Sequence, residues 1–163
     1  MSATFRVRDA KLPQDEAAML QFINELQRFE RAIEENRRVD ASVAQEFLSV
    51  LLERVKNNHG CIRLAEDDHG QPIGWAVALE DEDEVYVVAG ERRFGYISEL
   101  HVIESWRGRG VGRALMSACE AWARDRGLAT MFIAGLAENR RALDVYRASG
   151  YAPHAAFLRK YLK

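Results

Sequence analysis

Cysteine is scarce in this sequence. Cys61 and Cys119 lie far apart, with no CxxC and no Cys/His ligand spacing around them. That argues against a disulfide framework and against a zinc site, and each cysteine reads as a small buried apolar residue. Excess positive charge is lacking too. Lys and Arg number 23 against 25 Asp and Glu, for a net charge of −2, so there is no basic field of the kind that nonspecific nucleic-acid binding needs, and any anion site has to be local. No stretch approaches the roughly 18 apolar residues of a membrane span, and no basic start leads into a long apolar run near the N-terminus. The expected location is the cytoplasm, with neither nucleic acid nor membrane as a partner. Repeats, low-complexity tracts and long linkers are missing as well. The 163 residues, 48% of them hydrophobic, suffice for the core of one compact domain spanning 1–163.

The apolar pattern predicts the elements. "TFRVRDA" alternates Phe5 and Val7 with polar neighbours, as a strand does. Pro13 opens a helix on which Met19, Phe22, Ile23, Leu26 and Phe29 form one stripe. Asp40 is placed to cap a second helix carrying Val43, Phe47, Leu51 and Val55, which gives out at Asn57 to Gly60. "CIRLAED" and "PIGWAVALE" flank the turn "DHGQ" and predict a hairpin. After the acidic run Glu80 to Glu84, "FGYISELHV" predicts a further strand. Val111, Leu115, Ala118, Cys119 and Trp122 share a helix face that stops at Gly127. "LATMFIAG" predicts a buried strand, "ENRRALDVYRASG" a helix, and "YAPHAAFLRKYLK" terminal strand material. The expected fold is α/β in the α+β sense, with the order β-α-α-β-β-β-α-β-α-β(β).

"SWRGRGVGRALM", Ser105 to Met116, sets three glycines at alternate positions, with arginines between them, at the mouth of a helix. Glycine is costly to order, so a cluster means positive φ or a close approach of the backbone to something else. A strand, a glycine turn and a helix N-terminus gather unpaired N–H groups and the positive end of a helix dipole at one point, which suits phosphate. A Walker loop does not fit, because Gly112 is followed by Arg113 and Ala114 rather than by lysine and a hydroxyl. A dinucleotide fingerprint fails at Arg113, which stands where its third glycine belongs, and the loop comes late, after a hairpin.

"RGRGVG" resembles the acyl-CoA-binding loop R/Q-x-x-G-x-G/A of the GNAT superfamily of N-acetyltransferases, with Arg107, Gly110 and Gly112 at its defining positions. "YISELHV" is similar to the family's fourth strand. "NRRALDVYRASGY" resembles its N-x-x-A-x-x-x-Y-x-x-x-G-F/Y segment, through Asn139, Ala142, Tyr146, Gly150 and Tyr151. The element order is also that of the family. The resemblance implies acetyl-CoA as cosubstrate, no metal, and direct transfer of the acetyl group to a primary amine of a small molecule or peptide. It implies that the backbone near Leu100, His101 and Val102 pairs with the pantetheine arm. Backbone amides from Arg109 to Arg113, through Gly110, Val111 and Gly112, would make the decisive contacts to the pyrophosphate, with Gly108 in the same cofactor-binding loop and the side chains of Arg107, Arg109 and Arg113 close by. Asn139 would bond the pantetheine chain, cap its helix, or do both. A homodimer is compatible with it, and a noncatalytic acyl-CoA-binding module is the competing reading.

Acyl transfer to an amine needs a base, an oxyanion donor and an acid for the departing thiolate. By the resemblance Tyr146 is the acid and cofactor contact. Glu99 is the catalytic base candidate and His101, with a suitable pKa, the other; alternation puts both on one side of the strand, so a regular strand cannot choose between them. Cys119, on an apolar helix face, argues against an acyl-enzyme. Phe22, Phe29, Trp75 and the acidic run lie where relatives line the acceptor groove. The acidic run either draws a cationic amine or is solvated surface, and the aromatics serve a core equally well.

Overall fold

The computed structural model describes residues 4–162. Five strands form one sheet in the order β1-β2-β3-β4-β5: β1 Phe5–Asp9, β2 Cys61–Asp67, β3 Pro72–Glu82, β4 Arg93–Val102 and β5 Met131–Ile133. The first four are antiparallel neighbours, and β5 runs parallel to β4. The helices are α1 Glu16–Arg31, α2 Val43–Asn57, the single turn α3 Ala89–Arg92, α4 Val111–Asp125 and α5 Arg140–Ala148. No helix among the described residues is long and apolar enough to cross a membrane.

Strand alternation divides the core into two layers. Trp75, Val77 and Leu79 of β3 face α1 and α2, where Met19, Phe22, Ile23, Leu48 and Leu51 are buried. Ala76 and Ala78 face α4, which buries Val111, Leu115, Met116, Cys119 and Trp122. The small residues on that side let α4 lie close, and each large side chain fully removed from water contributes about 1.5–3 kcal/mol. The predicted stripe on α1 is therefore real at its N-terminal half, whereas Phe29 is 41% exposed. α2 presents Ala44 and Leu48 as well as Leu51 to the core, with Phe47 and Val55 packed at its margin.

Three expectations need correction. α1 begins at Glu16 rather than at Pro13, because residues 12–15 form turns. The strand expected through "LATMFIAG" is confined to Met131–Ile133, since Leu128 is used to close α4, its N–H donating to Ala123 O at 2.9 Å. The terminal strand material does not form: residues 151–162 hold no strand, and Phe157, Leu158, Tyr161 and Leu162 are largely exposed. Their apolar residues come in adjacent pairs four apart rather than alternating, so no single face can cover a sheet edge. Side chains fasten this segment instead. His154 packs on the Phe132 ring at 4.8 Å, and Arg159 forks onto Glu34 at 2.7 and 3.0 Å.

Candidate active site

The glycine loop joins β4 to α4 by way of a 3-10 turn at Glu104–Trp106. Gly108 and Gly110 have φ of +76° and +87°, and a Cβ at either would meet nothing within 4 Å. The chain thus needs glycine there for its backbone conformation and leaves open space in front of it. Gly110 is the N-cap of α4 and supplies no side-chain cap. Ala114 N–H is the first to close on the helix, to Gly110 O at 3.0 Å. Among the described residues the N–H groups from Gly108 to Arg113 find no acceptor. Six successive unpaired amides at a helix N-terminus form a site shaped for an anion with several oxygens. Arg109 lies over the Trp106 ring at 5.3 Å and Arg113 is exposed. Arg107 instead turns inward, its Nε donating to Val102 O at 2.8 Å and its guanidinium 5.6 Å over the Phe29 ring.

β4 parts from β5 beside this loop. The two pair only at Gly95↔Met131, Tyr96↔Phe132 and Ile97↔Ile133, so the backbone of β4 beyond Ile97 has no strand on that side. On the other side, Ile103 N–H donates to Ile73 O, so by antiparallel alternation His101 bonds β3 while Leu100 and Val102 turn away from it, Val102 C=O meeting Arg107 Nε and both Leu100 groups and Val102 N–H facing the gap. Of the three backbone positions expected near the pantetheine arm, Leu100 and Val102 are therefore presented and His101 is not. A bulge makes the register uneven, with Ile97 facing Ala78 and Glu99 facing Val77. Ser98 is the extra residue, and its buried Oγ has no partner among the described residues.

The bulge precedes Glu99, so Glu99 and His101 share the face turned to α1 and α2, yet their surroundings differ. His101 is 4% exposed, its Nε2 lies 2.8 Å from Glu25 Oε2, and the Phe22 ring is 5.8 Å away. Burial holds its pKa below the ordinary value, outweighing the upward pull of Glu25. The neutral imidazole donates from Nε2 to the carboxylate, which can only accept. Glu99 makes no hydrogen bond among the described residues and is half-buried. Burial, and then the nearby Glu30, push its carboxyl up to about 8 against a smaller downward pull from Arg54. Tyr146, from α5, reaches the same place: burial first, then Glu30, Tyr96 and Glu99, push its phenol up to about 12. Glu99, Tyr146, Tyr96 and Glu30 are thus near enough for one another's charge to be felt: Glu30 raises both Glu99 and Tyr146, and Glu99 raises both tyrosines.

Asn139 caps α5, its Oδ1 accepting from Ala142 N–H at 3.3 Å. Cys119 is fully buried, and its thiol is pushed up by Cys61 and by burial, so it is no nucleophile. Of the acidic run, Glu80 is tied to Arg93 and Arg126. Sequence reasoning missed Glu25, which lies 76 residues from its partner, and Tyr96 and Glu30, whose relevance only the packing reveals.

Comparison with known proteins agrees with this geometry. The model of the acetyltransferase (GNAT) family matches residues 20–151. Aminoglycoside N(6')-acetyltransferase type 1 of Stenotrophomonas maltophilia is 31% identical over 109 residues, covering 66% of this chain and 70% of that one. Among solved structures, a mutant of the BH1408 protein from Bacillus halodurans superposes with a TM-score of 0.83 at 17% identity, covering 97% and 99% of the two chains. AAC(6')-Iy, in complex with the bisubstrate analogue CoA-S-monomethyl-acetylneamine, gives 0.65 at 22% identity, covering 98% and 100%. A splayed sheet with an amide cradle at the splay defines an acyltransferase that moves an acetyl group to an amine. The chain belongs to the GNAT family.

Proposed function

We propose that the protein transfers the acetyl group of acetyl-CoA directly to a primary amine of a small cationic molecule, and the observation that carries this is the run of six unpaired amides set beside the bared edge of β4. The residues present fit the donor. The amides from Gly108 to Arg113 suit its diphosphate and are unobstructed by side chains, and Leu100 and Val102 offer backbone partners to its peptide-like arm. Acetyl-CoA, when bound, supplies an activated thioester.

The chain's own groups do the rest. An alkylammonium titrates near 10.4 and an ordinary carboxylate near 4.3, so a carboxyl raised to about 8 narrows the gap that proton transfer must cross. Glu99 takes the ammonium proton, directly or through water, and an approaching cation favours its ionised form. Tyr146 stays protonated across the working range. Its phenol lies well above the thiol value of about 8.5, so it acts by hydrogen-bonding the leaving sulfur as the C–S bond breaks, and the proton that the attacking nitrogen sheds on becoming an amide balances the thiolate, which leaves as the thiol of CoA. The Leu100 and Val102 N–H groups are placed to polarise the thioester carbonyl.

The cationic character of the acceptor rests on the aminoglycoside enzyme among the relatives and on the Glu99 carboxyl, which has no ion-pair partner among the described residues, whereas its neighbour Glu30 is paired with Arg37. The experiment is a panel of a polyamine, an aminoglycoside and a basic peptide, each with acetyl-CoA and detection of free thiol. The expected result is thiol release with a cationic small molecule. Tight CoA binding without release on any amine would refute the catalytic reading.

A further inference from the structure

One stripe of α1 grips both ends of the segment that connects the bared edge of β4 to the glycine loop. Phe22, Glu25 and Phe29 follow the i, i+3, i+7 spacing of one helix face. At one end, Phe22 packs on the His101 ring and Glu25 Oε2 holds His101 Nε2 at 2.8 Å. At the other, Arg107 lies over Phe29 while its Nε fixes Val102 O. Gln21 Nε2 donates to the second oxygen of Glu25 at 2.8 Å, and against the upward push of burial the hydrogen bonds of Gln21 and His101, with a smaller pull from the Arg107 charge, hold the Glu25 carboxyl below its ordinary value. His101 turns its ring nitrogen to α1, the helix that the family resemblance puts along the acceptor groove, whereas Arg107 bridges the two, its guanidinium over Phe29 of α1 and its Nε on Val102 O at the β4 edge.

We propose that Glu25 is a positioning residue for the acyl donor: through His101, and together with Phe29 of the same helix face holding Arg107, it fixes the residues between Leu100 and the glycine loop in the one register in which the β4 edge and the loop amides meet the same ligand. The reasoning is geometric. The arm and the diphosphate of the donor are covalently joined, so the two backbone surfaces that take them must be held at a fixed separation, and a single 3-10 turn, Glu104–Trp106, lies between. One turn bonded to β3 at Ile103 and packed on Phe5 through Trp106 is anchored on the β1–β3 side; the contacts to α1 anchor it on the other and fix its tilt. The same anchoring links the donor site to the acceptor-side wall, so movement of α1 against β4 is felt at both.

This inference rests on the donor assignment above, and its test separates the two. CoA binding is measured by calorimetry, and thermal stability by scanning fluorimetry, for wild type, Glu25→Ala, Glu25→Gln and Phe29→Leu. Glu25→Ala is expected to weaken CoA about tenfold, a share of the 1.5–3 kcal/mol typical of a charged hydrogen bond. Glu25→Gln keeps an acceptor for His101 Nε2–H and should stay within about twofold of wild type. Phe29→Leu, on the exposed side of α1, removes the ring under Arg107 without touching the core and should weaken CoA in the same direction. A role in packing alone would lower the melting temperature and leave affinity unchanged. Glu25→Ala within about twofold of wild type overturns the proposal, as does a loss in Glu25→Gln equal to that in Glu25→Ala. If Glu25→Ala does not fold, an unchanged affinity in Phe29→Leu overturns it. Failure of wild type to bind CoA would instead sink the donor assignment itself.

Discussion

Replacing Gly110 by alanine tests the loop more sharply than removing any arginine. At φ +87° an L-residue costs about 1–2 kcal/mol, partly offset by about 0.4–1 kcal/mol from the stiffer unfolded chain. A net loss of about 0.8 kcal/mol at the middle of those ranges, and of about 0 to 1.6 kcal/mol at their ends, should lower the melting temperature by about 2–3 °C for a chain of this size. Relief of that strain rotates the peptide planes on either side and so misdirects at least one N–H of the cradle. One charge-assisted hydrogen bond lost to the diphosphate, worth about 1.5–3 kcal/mol, weakens CoA roughly 10- to 100-fold. Gly112 is the internal control. Its φ is outside the left-handed region, and an added Cβ would make only an ordinary contact, 3.8 Å from Val102 Cγ2. Alanine there should hold or raise the melting temperature, because it favours the first turn of α4. Scanning fluorimetry without ligand reads the strain, and calorimetry with CoA reads the cradle. If Gly110→Ala melted within about 1 °C of wild type and bound CoA within about twofold, the left-handed loop would be neither strained nor a ligand cradle, and the reasoning would fail.

Tyr146→Phe should keep CoA affinity and lose roughly 10²-fold or more in kcat; full turnover in this variant rules out the leaving-group role. Because Glu99 must be ionised to act, kcat/KM should climb with pH to about 8, and Glu99→Gln should abolish that limb, leaving only the ionisation of the amine itself. The same shift has a stability sign. The folded-state value lies above the unfolded one, so wild type loses stability as pH rises from about 4.3 toward 8, and chemical denaturation of Glu99→Gln should show no such loss from this group. Asn139→Ala removes the α5 cap and should cost about 1 kcal/mol. A melt unchanged from wild type would mean that the cap contributes nothing.

Local signals in the sequence reached as far as the forces that made them are local. The α1 stripe from Met19 to Ile23, the hairpin at Gly70 and the positive φ of Gly108 and Gly110 each follow from residues within a turn of one another. Tyr146 and Glu99 were named on family likeness, and what brings them together is the docking of α5 beside a parted sheet, which no short window encodes. The bulge at Ser98 follows a mismatch between two strands rather than any property of either. Glu25 was legible only as one more polar residue on a helix. The tail misled because aromatic and aliphatic content was read as strand although its spacing does not alternate.

The short seam between β4 and β5 leaves a length of main chain with nowhere to satisfy its hydrogen bonds except solvent or a visitor. Such an edge is indiscriminate, since a stray extended peptide offers the same donors and acceptors as a pantetheine arm. Under the proposed function a thioester seated on that edge would cover it, so the donor would protect the fold as well as feed the reaction.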